Sequence, residues 1–170
     1  MPETESIFSD ATIKWAGVID LGLFYKKIQI WLETKKYKTK EIKYVEKIKP
    51  NGKQIEITWE SKREEGKFIG DKPYFRFDLR TTFFLVGVSD SEIEKDGRKL
   101  KLSKIDAEVK VSTDFTKDAE SVFKEHPFMK KIYEKYVIKH KIEEAKIDCY
   151  KDASDYMEEL KNYFNLYQFK

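Results

Sequence analysis

Residues 74–88 read YFRFDLRTTFFLVGV, and this stretch decides the fold class. Apolar side chains alternate there with Arg76, Asp78 and Arg80, the period of two that is typical of a strand with one buried and one wet face. Aromatic and β-branched residues fit a pleated surface well, which strengthens the prediction. This stretch is the longest strand that the sequence predicts.

Segments before this strand alternate in the same way. Residues 41–48 and 54–60 flank the turn Pro50-Asn51-Gly52, and together they predict a β-hairpin. Further upstream, residues 12–19 are rich in β-branched and aromatic side chains and predict a short strand. The polar residues 1–10 predict a loose leader.

A second hairpin is predicted after the longest strand. The dipeptide Asp96-Gly97 is a strong hairpin signal, because glycine accepts the positive φ that a type I′ turn needs. Alternation continues through residues 100–111, but its phase slips by one residue between Leu102 and Ile105. We therefore predict a β-bulge near residues 103–104 that keeps both halves of the strand facing the core.

Helices are predicted in both halves of the chain. Asp20 is placed to cap a helix whose apolar residues recur on one face at three-and-four spacing: Leu21, Phe24, Ile28, Trp31 and Leu32. A short helix is predicted over residues 116–125, before the break that Pro127 imposes on His126.

An apolar stripe close to the heptad period predicts a long C-terminal helix. The stripe runs through Ile138, Ile142, Ala145, Cys149, Ala153, Tyr156, Leu160, Tyr163 and Tyr167, and Met129, Ile132, Tyr133 and Tyr136 extend it backwards. A helix of that length exceeds the sheet it could cover. It either bends near residues 148–154 or projects towards another subunit.

The order of these elements predicts a single α+β domain over residues 1–170. Its parts are the leader 1–10, a strand–helix–meander unit over 11–113 and a helical C-terminal part over 116–167. We expect an antiparallel meander of about five to six strands. An amphipathic helix in the N-terminal half and a long C-terminal helix would pack on it.

Charge excludes some functions. The chain contains 34 lysines and arginines against 31 acidic residues, a formal net charge of +3. Only four cations are arginines, the residue type that reads guanine edges, so sequence-specific DNA binding is disfavoured. Residues 26–53 depart from this balance with ten lysines against three glutamates. The predicted basic patch comprises Lys35, Lys36, Lys38, Lys40, Lys43 and Lys47.

No residue pattern indicates catalysis. His126 and His140 are the two histidines, and neither has the short spacing to cysteine or carboxylates that a metal site needs. Cys149, the single cysteine, falls on the apolar stripe, where a small buried hydrophobe is expected. We expect no enzymatic activity, no metal and no cofactor.

The N-terminal residues predict a location. They carry acidic side chains but no lysine or arginine within the first ten positions, so they lack the basic start of a secretory signal. The longest uncharged stretch, residues 81–89, is far shorter than the roughly 18–20 residues that cross a bilayer. We expect a cytoplasmic protein with no transmembrane segment.

The element order resembles the helix-grip arrangement of the START-like superfamily, in which a curved sheet wraps a terminal helix and leaves a ligand cavity. The chain also looks like a family of small uncharacterised archaeal proteins. That resemblance rests on Phe24-Tyr25 with Trp31-Leu32, on Ile55-Glu56-Ile57-Thr58-Trp59 and on YEKYVI at residues 133–138. It implies an archaeal cytoplasm and carries over no functional residue.

Three functions remain open. The first is a non-enzymatic binding or assembly module whose C-terminal helix contacts another protein or a second copy through Tyr156, Leu160, Tyr163, Phe164 and Tyr167. The second is a carrier of a hydrophobic small molecule or lipid in a cavity between sheet and helix, lined by Trp15, Phe24, Trp31, Trp59, Phe77 and Phe83. The third is non-specific binding of RNA or an anionic surface through residues 26–53.

Overall fold

Six antiparallel strands form one sheet in the order β2-β3-β4-β5-β1-β6. The structure is a computed structural model that describes residues 2–68, 72–95, 97–166 and 168–169. The strands are β1 (Glu3–Ile19), β2 (Lys38–Lys49), β3 (Gly52–Glu65), β4 (Phe75–Lys95), β5 (Arg98–Lys117) and β6 (Gln168–Phe169). Strands β2 to β5 pair consecutively as a meander, and β1 adds to the far side of β5. The predicted α+β class is confirmed.

Strand β1 is longer than predicted, and the loose leader over residues 1–10 is wrong from Glu3 onward. Glu3 pairs with Lys117 and Thr4 with Thr116 across the β1–β5 ladder, and the two threonine hydroxyls lie 3.0 Å apart. This half of the strand is held by backbone pairing and cross-strand polar contacts. Hydrophobic periodicity does not report such contacts.

The predicted bulge lies in β4 rather than near residues 103–104 of β5. The β4–β5 register shifts between Val86 and Ser89, whereas the β5–β1 register is regular through Ser103 and Lys104. Gly87 at this shift has φ of 62°, which a residue without a Cβ adopts at no steric cost. The extra residue of the bulge therefore lies in the segment of β4 that contains this glycine.

Helix α1 (Leu21–Thr34) begins and ends with identifiable caps. The Leu23 amide donates to the Asp20 carboxylate at 3.1 Å, as the sequence predicted. At the other end, Lys36 has φ of 68°, and the Tyr37 amide donates to the Leu32 carbonyl at 2.9 Å. This Schellman-type turn usually carries glycine at the left-handed position. Lysine occupies that position here and leads directly into β2.

The short helix predicted over residues 116–125 is wrong. Strand β5 continues to Lys117, and turns follow it. Asp118 and Ser121 both have φ of 53°, which is outside the α-helical region, and the Asp118 carboxylate accepts from the Val122 amide at 2.6 Å. Local side-chain hydrogen bonding therefore replaces the helix.

The C-terminal helical part divides near Ile138. Helix α2 spans Pro127–Ile132, a single π-helical turn covers Tyr133–Val137, and helix α3 spans Lys139–Leu166. The amide of Ile138 donates to the Tyr133 carbonyl at 3.1 Å, and Ile138 itself is non-helical with φ of −117° and ψ of 16°. At residues 148–154, where a bend was one of the two alternatives, α3 continues without interruption.

Helices α1 and α3 cover one face of the sheet and form the core with it. The stripe from Ile138 to Leu160 is buried as predicted for the long helix, but its next member, Tyr163, is half-buried and Phe164 is buried instead. Its backward extension is wrong for Met129, Ile132 and Tyr136, which are exposed. The opposite face of the sheet carries charged and hydroxyl side chains and is open to solvent.

Candidate functional site

The uncovered face of the sheet presents its polar side chains in cross-strand rows. In each row the residues are Cα partners on successive strands, so their side chains are neighbours. Three such rows, from β2 to β5, are Lys38-Lys62-Asp78-Asp114, Lys40-Glu60-Arg80-Ser112 and Lys43-Thr58-Thr82-Lys110. The register between strands thereby brings together charges that are far apart in the sequence.

The centre of this face is a cleft of about 680 Å³ in which opposite charges are paired. Arg76 donates from Nε to the Asp78 carboxylate at 3.0 Å, and the Lys43 ammonium lies 2.9 Å from the Glu56 carboxylate. Five basic side chains and five acidic ones line the cleft. It therefore offers no net charge to a ligand.

A second groove, of about 570 Å³, lies beside this cleft along the outer strand β2. We call it the lysine groove, and its charged lining is Lys36, Lys38, Lys40, Lys62 and Lys67 with Glu60 and Glu64. All five lysines are exposed. Within the part of the chain that the structure describes, none of the five forms an ion pair. With five lysines against two glutamates, the lining of the groove has an excess of positive charge.

Local structure explains how the five lysines converge. Lys38 and Lys40 alternate on one face of β2, which places their Cα atoms about 7 Å apart. Lys62 is the Cα partner of Lys38 on β3, and Lys36 occupies the left-handed turn before β2. Two lysines directly opposite one another destabilise a sheet. Asp78 and Glu60 are the cross-strand neighbours of Lys62 and Lys40, but neither forms an ion pair with them among the described residues, so an anion from outside the protein can complement the excess positive charge.

The predicted basic patch is divided by the structure. Lys36, Lys38 and Lys40 line the lysine groove, whereas Lys43 pairs with Glu56 in the neighbouring cleft. The Lys35 ammonium lies 5.7 Å from the centre of the Trp31 ring, a cation–π contact on helix α1. Lys47 is exposed and lies further along β2.

Sequence reasoning missed Lys62 and Lys67 of the lysine groove. Lys62 is brought there by the β2–β3 register, and Lys67 by the loop that follows β3. The hairpin turn Pro50-Asn51-Gly52 was the available signal for Lys62, because turn length fixes which residues face each other.

The residues predicted to line a hydrophobic cavity pack directly on other side chains. Phe24 stacks on Phe164 with ring centres 4.3 Å apart, and Trp15 stacks on the same ring at 4.9 Å. Trp59 meets Phe83 edge to face at 4.9 Å. These distances are those of filled aromatic cores, so the rings occupy the space that a ligand would need.

The other two predicted cavity residues are also in contact. Phe77 is fully buried with its ring 5.9 Å from that of Phe115. The ring centre of Trp31 lies 5.4 Å from that of Tyr156, between α1 and α3. The gap that these two side chains line with Leu160 has a volume of about 0 Å³ accessible to water, so it cannot hold a ligand. The structure thus brings the six aromatic residues into the core and leaves no opening at this gap.

The residues predicted as an interface on the C-terminal helix are mostly inside the chain's own core. Tyr156, Leu160 and Phe164 are at most 1% exposed, and Tyr163 is half-buried. The interface prediction is therefore wrong for the three buried side chains, which have no surface to offer another chain. Tyr167 lies outside the described residues.

A buried polar cluster that the sequence did not indicate fixes α3 to the sheet. Asp152 accepts from the Arg63 guanidinium at 2.6 Å and from the Tyr37 hydroxyl at 3.0 Å. Arg63 also bonds to Glu65. Burial, together with the Asp152 charge, raises the pKa of Tyr37 above its ordinary value, so the phenol stays a hydrogen-bond donor. The cluster joins β3, α3 and the segment between α1 and β2.

Cys149 lies near this cluster and is fully buried. Its Sγ is 3.6 Å from the Thr113 hydroxyl, and burial raises the pKa of the thiol to about 11. A thiol nucleophile needs the opposite, a lowered pKa and access to solvent. The structure therefore places Cys149 as a small core residue.

Comparisons with known proteins assign no family to the chain. A scan against protein-family models finds no match, and a search of curated proteins finds none either. Among the described residues, no helix combines the length and the apolar character needed to cross a membrane.

Proposed function

We propose that this protein is a non-enzymatic binding module that holds single-stranded RNA by its phosphate backbone, without sequence preference, in the lysine groove. The observation that carries the proposal is the convergence of five lysines without an ion-pair partner among the described residues. Phosphates would supply the missing counter-charge, and release of their condensed counterions would favour binding.

The shape and chemistry of the groove favour an extended polyanion over a compact anion. Lys38 and Lys40 repeat along β2 at about 7 Å, a spacing that suits successive phosphates of a stretched strand. Lys62 and Lys67 extend the cationic lining onto β3 and the following loop. Lysine offers a flexible point charge rather than the planar fork that reads bases.

Base readout is not supported by the same groove. None of the described residues that line it is aromatic, so stacking platforms are missing there. Arg76 and Arg80 lie in the neighbouring cleft, where carboxylates surround them, and Arg63 is paired with Asp152 and Glu65. Binding through backbone phosphates therefore predicts a similar affinity for oligomers of different base composition.

Binding of a fluorescent oligouridine, followed by anisotropy over a salt series, tests the proposal. The variant Lys38→Glu/Lys40→Glu should lose at least about tenfold in affinity, and its salt slope should fall by about 1.4, that is about 0.7 for each lost lysine–phosphate contact. The matched control is Lys47→Glu/Lys49→Glu. It changes the charge of the same strand by the same amount but lies outside the groove.

Comparing the two variants distinguishes binding at the lysine groove from general electrostatic attraction to the protein. Unchanged binding by the control and weakened binding by the groove variant supports the proposal. Equal losses in both would show that net charge alone attracts the oligomer. No binding at low salt, or binding without salt dependence, would overturn the proposal outright.

A further inference from the structure

Helix α2 and the π-helical turn expose a run of apolar side chains that no described part of the chain covers. Phe128 is 73% exposed and Tyr136 72% exposed, and Met129, Ile132 and Val137 are exposed as well. Five exposed apolar side chains within residues 128–137 differ from the single exposed apolar residues that are common on protein surfaces. We call it the apolar ridge.

The inner side of the same segment is tied firmly to the protein. Glu134 accepts from the Tyr74 hydroxyl at 2.5 Å and from the Lys117 ammonium at 2.8 Å. Lys130 is buried, with its ammonium 3.2 Å from the Glu3 carboxylate. The segment that carries the apolar ridge is therefore held in place against the rest of the protein.

The π-helical turn explains why the ridge faces outward. A regular heptad would have carried Ile132 and Tyr136 onto the buried stripe of α3. The wider turn that closes from Ile138 to Tyr133 interrupts that period, and the non-helical Ile138 restarts it. Ile138 is buried, whereas Tyr136 and Val137 stay on the outside.

Charge on this segment is segregated between the two sides. Glu134 is the single carboxylate of residues 126–141, and it points inward to Tyr74 and Lys117. Lys131, Lys135 and Lys139 are exposed, whereas the Lys141 ammonium lies 4.2 Å from the centre of the Phe68 ring. The outer side thus combines apolar and aromatic groups with cations and has no acidic group of its own.

We propose that the apolar ridge and its flanking lysines dock on the interface of an anionic lipid bilayer. A helical surface that joins aromatic and aliphatic side chains to lysines is suited to the boundary between headgroups and acyl chains. The apolar groups enter that boundary, and each lysine near the surface strengthens binding to anionic headgroups. The inward turn of Glu134 keeps the single carboxylate of residues 126–141 away from anionic lipids.

Co-sedimentation with vesicles tests this docking. Wild-type protein should bind vesicles with about 30% phosphatidylserine and should not bind pure phosphatidylcholine. Lys131→Glu/Lys135→Glu should lower partitioning by at least about thirtyfold, since two surface cations are lost. Lys47→Glu/Lys49→Glu, with the same charge change on β2, should bind within about twofold of wild type. Equal losses in both variants would overturn the proposal.

Insertion of the ridge itself is measured with a fluorescent label. Because Cys149 is fully buried, an environment-sensitive dye on Val137→Cys reports this position alone. Its emission should shift to the blue with anionic vesicles, and Phe128→Ser in the same labelled protein should reduce the shift while far-UV circular dichroism stays unchanged. An unshifted emission overturns the proposal. So does a wild-type dimer in analytical ultracentrifugation that Phe128→Ser converts to monomer, because a second copy then covers the ridge.

Discussion

Replacing Asp152 by asparagine tests whether the buried polar cluster holds α3 on the sheet. The carboxylate accepts one charge-assisted hydrogen bond from Arg63 and one from the Tyr37 hydroxyl. Breaking a buried ion pair by removing one partner costs about 3–5 kcal/mol, because the remaining charge is left uncompensated. Here the Arg63 side chain is 20% exposed and keeps Glu65, so we expect a loss of about 2–3 kcal/mol.

Urea denaturation followed by tryptophan fluorescence measures this loss as a change in the free energy of unfolding. A double-mutant cycle with Arg63→Met isolates the pair, and we expect a coupling of about 1–2 kcal/mol between the two positions. The control is Asp148→Asn on the same helix, an exposed residue for which we expect a change within about 0.5 kcal/mol. A loss below about 1 kcal/mol for Asp152→Asn, or strict additivity in the cycle, would refute this account of the cluster.

The remaining predictions concern single side chains. Phe164→Ala should lower the free energy of unfolding by about 3–5 kcal/mol in urea, whereas an interface residue would change the oligomeric state instead. Lys36→Gly should raise that free energy by about 1 kcal/mol, because glycine suits the left-handed turn, and should weaken oligouridine binding. Cys149 should resist iodoacetamide at neutral pH in the native protein and react fully in urea, as its burial and its pKa of about 11 imply. The hydrogen bond from Lys117 lowers the pKa of Glu3 below 4.5, so its stabilisation is present above that value and is lost as the pH falls. Urea titrations of wild type and Glu3→Gln over this range should converge in acid.

Local sequence patterns were sufficient to predict a helix or strand wherever one of its faces is buried and the other is exposed to solvent. The alternation in residues 74–88 predicted β4, and the spacing from Phe24 to Leu32 with the Asp20 cap predicted α1. Burial of the stripe from Ile138 to Leu160 followed from its period. In each case apolar side chains recur with the period of the helix or strand that they belong to, so a window of about a dozen residues is enough to predict the element.

The failures arose where the backbone conformation does not follow the apolar pattern. The polar half of β1 is a strand because β5 offers it a ladder, and no apolar period marks that pairing. Residues 116–125 have helical composition, but the left-handed conformations of Asp118 and Ser121 exclude a helix. Tyr136 continues the heptad in sequence, yet the π-helical turn rotates it to the surface. The simple pattern was overridden by a long-range strand ladder in β1, by local side-chain hydrogen bonding after β5 and by the π-helical turn before α3.

The sequence by itself determined the α+β class, the meander, the two main helices and the lysine-rich character of residues 26–53. Only the tertiary structure decided which lysines act together, because Lys38 meets Lys62 through strand register and not through closeness in the chain. It also decided that Phe164 is core and Phe128 is surface, although both are aromatic residues on helices. Periodicity shows which residues share a face of an element, but whether another part of the chain covers that face depends on long-range packing.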